Sequence, residues 1–167
     1  MHRYKIYNGP MPTTAAQAAV GTGTAIKTML QVATPATRQI QLISWGYSFS
    51  EAAGAVGTIE LIQTDVAATV TAHVSTGLIK LDPNAPASLM TLGTSATGYT
   101  ASAEGSITAT RVFDTVRVPA ALTGITPYSY QWVPDERPIV AVSTFLRVRA
   151  TTPTSGVNMI TWVVWDE

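Results

Sequence analysis

Two histidines, one acidic pair, one arginine pair and four tryptophans are the residues of this chain whose types and spacing could do chemistry. His2 and His73 are its only imidazoles, so a serine nucleophile would have to take its base from one of them. His73 stands among Thr and Ala with no acidic pair nearby, and a histidine without an orienting acid reads as structural or solvated. There is no cysteine, which excludes disulfides, thiolate metal sites and a cysteine nucleophile. HExxH, GxxxxGK and GxSxG are missing as well, and with them the signatures of metal-assisted hydrolysis, phosphate cradling and a serine elbow. A non-enzymatic protein with no catalytic residues, no metal and no cofactor is expected.

Asp135 and Glu136 place two carboxylates side by side between Pro134 and Pro138. Calcium takes roughly six to eight oxygens, so a rigid, solvated turn with Arg137 as local ion partner is the simpler account. Arg147 and Arg149 share one face of a strand pattern. They could bind an acidic partner surface or charge an edge against unwanted sheet extension, and the residues alone do not separate the two. Trp132, Trp162 and Trp165 invite a sugar-stacking platform, but tryptophan on a strand that is apolar on both sides is more often core or subunit interface.

Composition narrows the partners. At 167 residues the chain fits one domain of about 100 to 200 residues. Hydrophobic residues make up 46% and charged ones only 12%, which suits many short strands with hydroxyl-covered surfaces rather than helices faced with Glu and Lys. Ten cations balance ten anions, and no basic stripe is present to neutralise phosphates, so no nucleic-acid partner is expected. Low charge suits the centre of a protein interface, where aromatics are enriched and Lys, Glu and Asp depleted. The opening MHRYKIYNGP lacks the apolar region of a signal peptide. No apolar run approaches the roughly 18 to 20 residues of a membrane span, and no membrane partner is expected.

The elements that would position these residues are strands. In residues 39–49, QIQLISWGYSF, the apolar Ile43, Trp45, Tyr47 and Phe49 alternate with Ser44, Gly46 and Ser48, the period of a strand with one large face and one smooth one. The Trp45 face is expected in the core and the serine face either solvated or overlaid by an arm. Ile40 and Leu42 fall on the opposite parity, which predicts a bulge or a change of covering layer near Leu42. Residues 25–32 set Ile26, Thr28, Leu30 and Val32 against Lys27, Met29 and Gln31. Residues 58–64, 106–118 and 128–133 are further strands, with a turn-rich crossing at 119–127. Asp65 opens a stretch that fits a short helix through Val66, Val70 and Val74, or an extended segment because Thr69 and Thr71 sit poorly in helices. Residues 145–150 and 157–165 read as a terminal hairpin around a turn at 151–156.

Turn signals NGP, PTT and GTG mark residues 1–24 as an extended N-terminal arm, either floppy or laid on a neighbouring subunit. Residues 82–105 are dense in Pro, Gly, Ser and Thr and read as one long loop region anchored by Leu89, Met90 and Leu92. The expected fold class is all-β, a single-domain β-sandwich of jelly-roll or Greek-key type over residues 25–167.

Eight stretches carry a resemblance: PTTAAQA (12–18), TAIKTMLQVATP (24–35), WGYSF (45–49), TDVAATVTAHV (64–74), DPNAPAS (82–88), GYTASAEG (98–105), RVFD (111–114) and FLRVR (145–149). Together they are similar to the head decoration, or capsid cement, proteins of tailed bacteriophages, notably those of actinobacterial hosts, over most of the chain. The resemblance implies a β-sandwich on the capsid exterior of the virion, commonly a homotrimer at local threefold positions. Its partner would be the major capsid protein, and its function stabilisation of the shell. A tail-associated or host-glycan-binding β-sandwich module of a phage is the alternative. On the decoration reading the contacts to capsid or neighbouring subunit fall on Tyr4, Ile6, Tyr7, Pro10, Met11 and Pro12 of the arm, Leu89, Met90 and Tyr99 of the loop region, and Arg147 and Arg149. The family brings no catalytic residues to carry over.

Overall fold

The computed structural model describes residues 2–121, 127–152 and 156–167; parts of the predicted crossing at 119–127 and of the turn at 151–156 lie outside the described residues. Among these, the strands in chain order are β1 Arg3–Tyr7, β2 Val20–Gly21, β3 Lys27–Ala33, β4 Ile40–Phe49, β5 Gly57–Thr64, β6 Thr69–Ala72, β7 Ile79–Lys80, β8 Gly98–Ala103, β9 Thr110–Val118, β10 Tyr128–Gln131, β11 Ile139–Val140, β12 Phe145–Thr151 and β13 Asn158–Asp166. They form two antiparallel sheets. The first runs β10-β4-β13-β1-β7, with β11 beside β4 and β2 beside β13; the second runs β6-β8-β3-β12-β5-β9. Their facing sides enclose one continuous apolar core containing Tyr4, Leu30, Leu42, Trp45, Leu61, Val148 and Trp165. The chain is an all-β, single-domain sandwich, as the strand spacing predicts.

Phase shifts set the core. Leu42 lies opposite Trp165 and Ser44 opposite Val164, so Ile43 is the extra residue of a bulge. That one residue turns Ile40 and Leu42 onto the same inner face as Trp45, Tyr47 and Phe49, the shift expected near Leu42. A second shift, between Val148 and Arg149 opposite Leu30 and Thr28, brings Met29 into the core. It also removes Ile26 from the expected apolar face and leaves it exposed. Across from Gly46, a Cβ would stand 2.5 Å from the Tyr128 carbonyl and 2.7 Å from the Trp162 ring. Glycine there lets Trp162 lie flat across β4, so a side chain of the protomer's own sheet, not an arm, covers the middle of the serine face.

Four expectations need correction. The terminal hairpin is not one: β12 pairs with β3 and β5 in the second sheet, while β13 pairs with β4 and β1 in the first. Among the described residues no two strands consecutive in the chain pair with each other, and most connections cross from sheet to sheet. The arm at 1–24 begins as β1, an interior strand between β13 and β7, because Tyr4 and Ile6 are large enough to need the core. The loop region at 82–105 contains β8, paired with β3 and β6. The segment after Asp65 is extended as β6 rather than helical, the outcome its threonines favour.

Candidate functional site

The predicted contact residues divide. Tyr4 (1% exposed), Ile6 (0%), Met90 (4%) and Arg147 (0%) are enclosed within the protomer and offer no contact surface. Their apolar bulk, or in Arg147 its bonded guanidinium, is spent inside. Pro10, Met11 and Leu89 are exposed, while Tyr7, Pro12, Tyr99 and Arg149 are half-buried. Tyr4 and Leu89 border one surface depression, Tyr7 lies under the Lys5 ammonium at 4.7 Å, and Tyr99 packs edge-on to His73.

Arg147 neither charges an edge nor faces a partner. Its guanidinium donates to the carbonyls of Glu104 at 3.0 Å and Val66, and to the Glu104 carboxylate at 3.3 Å. Burial pushes its pKa down, against the opposing pull of Glu104. The same carboxylate accepts from the Thr28 amide and hydroxyl. Beside it Gln31 accepts from the Ala68 amide at 2.8 Å and donates to the Ala96 carbonyl at 2.6 Å. These groups tie the segments around 66–68 and 96–104 to the outer face of the second sheet. Arg149 closes on Glu60 at 2.9 Å.

On the first sheet, Asp114 of β9 reaches across the sandwich edge to accept from Trp45 Nε1 at 3.0 Å and from the Tyr128 hydroxyl at 2.6 Å. Burial, then the nearby Asp114 charge, pushes the Tyr47 phenol up to about 12; burial followed by the Asp114 hydrogen bond also raises Tyr128. Both phenols stay protonated, so this acid clamps two sheets rather than serving as a base. Trp132 and Trp165 are in the core, and Trp162 is held between Gly46 and the Lys5 ammonium at 4.6 Å. None of the three presents a free stacking face.

His73 is buried, with Nε2 2.8 Å from the Tyr7 carbonyl, which makes that nitrogen the protonated one. Nδ1 has no hydrogen-bond partner and faces Gly77, where a Cβ would stand 2.2 Å away. No acid orients the ring. Among the described residues no group of three or more His, Cys, Asp or Glu is placed to hold a metal ion, and no helix is long and apolar enough to cross a membrane.

The two ends of the sandwich differ in chemistry. One end carries His2, Arg3, Arg38, Asp135, Glu136, Arg137, Asp166 and Glu167 on its connections and termini. Buried Asp166 pairs there with Arg3 and Arg137, each at 3.4 Å. Two shallow depressions of about 290 and 330 Å³ share Arg38 and Glu167, and neither contains a nucleophile beside a base. At the opposite end are the connections 8–26, 50–56, 119–127 and 152–157, and Glu51 is their only charged residue. Neutral groups hold the described parts of this end together. Asn8 donates to the Met159 carbonyl at 3.0 Å and accepts from the Thr161 amide at 2.9 Å. Thr22 shares a 2.8 Å hydroxyl contact with Thr152 and accepts from the Val157 amide at 3.0 Å.

Sequence reasoning missed Asn8, Gln31, Glu104 and Asp114 as anchors. For Glu104 a signal existed, a lone acid between the uncharged residues 83–103 and 105–110. The uncharged end was likewise visible as gaps in charge, but only the fold brings those gaps together. Comparison with known proteins finds no family model, no curated protein and no solved structure that matches this chain.

Proposed function

We propose that this chain is a structural virion protein of a tailed phage, a non-enzymatic decoration protein that binds the outer surface of the capsid and stabilises the shell. The observation that carries the reading is where the buried polar groups spend their bonds. Asn8, Thr22, Gln31, Thr34, Arg147 and Thr161 all bond backbone groups of the same chain. Such bonding stiffens a module and leaves little polar chemistry free to act on a substrate. The sequence resemblance supplies the shell as partner, and symmetry-repeated weak contacts supply the avidity that cementing needs.

The glycan-binding alternative loses its support, since it needed Trp132 or Trp165 in a groove and both are buried. The test is addition of purified protein to undecorated capsids. The expected result is co-sedimentation with the shells and a higher temperature of shell disruption. Absence of binding to shells, with binding to tail tubes or glycans instead, overturns the proposal.

A further inference from the structure

The four connections 8–26, 50–56, 119–127 and 152–157 come from distant parts of the sequence, yet strand order brings them to one end. β4 leads to β5, β9 to β10 and β12 to β13 there, and the 8–26 excursion leaves and returns along β13. Ala, Thr, Gly and Pro dominate them. Three large apolar side chains, Met11 (43%), Ile26 (45%) and Val56 (49%), stand exposed. Lys27 and Arg117 lie on the strands just inside, as a polar rim. The Lys27 ammonium is turned back to the Gly21 carbonyl at 3.2 Å, and Arg117 to the Thr58 hydroxyl at 3.4 Å.

We infer that this uncharged end is the docking face, and that its occupant is a protein surface of the capsid shell, so that the molecule stands end-on with its charged end pointing away. The inference rests on the decoration reading and gives that reading an orientation. Charge decides the class of partner. Nucleic acid and anionic lipid headgroups need cations to neutralise phosphate, and the connections at this end hold none. A protein interface is depleted of Lys, Glu and Asp at its centre and polar at its rim, which is the distribution found here. A standard interface uses roughly 20 to 30 residues a side, and the four connections supply that many.

The experiment compares three proteins on undecorated shells at low and high salt: the native chain, the triple variant Met11→Glu/Ile26→Glu/Val56→Glu, and the opposite-end variant Arg38→Glu. All altered positions are exposed, and circular dichroism with thermal melting verifies that each variant folds. Expected is native binding that survives high salt, loss of at least about tenfold in the triple variant because carboxylates must be desolvated, and binding within about twofold for Arg38→Glu. A folded triple variant that binds like the native chain overturns the orientation and leaves the decoration reading standing. Failure of the native chain to bind shells overturns both. Native self-association in the absence of shells that the triple variant abolishes makes the occupant a second copy and overturns the shell assignment.

Discussion

The charged end and the uncharged end are built from the same strands but solve the burial of polar groups differently. At the charged end Asp166 is matched by two guanidinium groups, one of them on the largely exposed Arg3, and solvent screens much of what such a pair contributes. At the uncharged end Asn8, Thr22 and Thr161 are fully buried and hold the chain by neutral hydrogen bonds to backbone. Leaving such backbone groups unpaired costs about 1 to 3 kcal/mol each. The end that looks chemically bland is therefore the more rigidly held. Rigidity there is useful, since a preorganised face has less ordering to do when it docks.

Both ends hang from one core, and the largest effect should come from its centre. Trp45→Ala removes a fully buried indole together with its bond to Asp114, and is expected to cost about 3 to 5 kcal/mol. Chemical denaturation should show the loss as one cooperative transition. Near-native stability would mean that the inner and outer faces of β4 are reversed.

The ends can then be set against each other. Asn8→Ala strands the Met159 carbonyl and the Thr161 amide, with an expected cost of about 3 kcal/mol. Asp166→Asn keeps shape and loses only the ion pairs, with an expected cost of about 1 kcal/mol that shrinks further as salt rises. If urea midpoints put Asp166→Asn below Asn8→Ala, the contrast drawn between the ends is wrong. Thr22→Val, which removes one hydroxyl from the same uncharged end, should fall near 1 kcal/mol and be insensitive to salt.

Strand periods were legible because alternation is local: the bulge near Leu42 follows from Ile40 and Leu42 being out of step with Trp45. Partners were not. Phe145 to Ala150 and Val157 to Trp165 have the alternation of a hairpin, yet the same pattern with a turn-rich link also suits an arch between sheets, which is what forms. Turn residues report that the chain bends and say little about which sheet receives it. Tyr4 and Ile6 went to the arm because NGP follows them, although their alternation with Arg3, Lys5 and Tyr7 is itself strand-like. The uncharged end lay in plain view as four gaps in charge. It acquires meaning only when β13, placed beside β1, β2 and β4, gathers the gaps together.

The smallest expected effect belongs to the flank between the ends, where His73 bonds the Tyr7 carbonyl. Burial lowers its pKa from the usual 6.5, and the Tyr7 carbonyl offsets only part of that. Below pH 6.5 the unfolded chain takes up a proton that the folded ring resists. Stability is thus fully present above that pH and falls on acidification until the folded pKa is passed. A single histidine can change stability by at most about 1.4 kcal/mol per pH unit. Melting temperatures of the native chain and of His73→Gln, followed from pH 7.5 to 5.5, should separate, with the native curve falling more steeply. A native curve that stays level or rises would mean that Nδ1 finds an acceptor once protonated. In that case the flank, like the uncharged end, would be held by groups indifferent to pH.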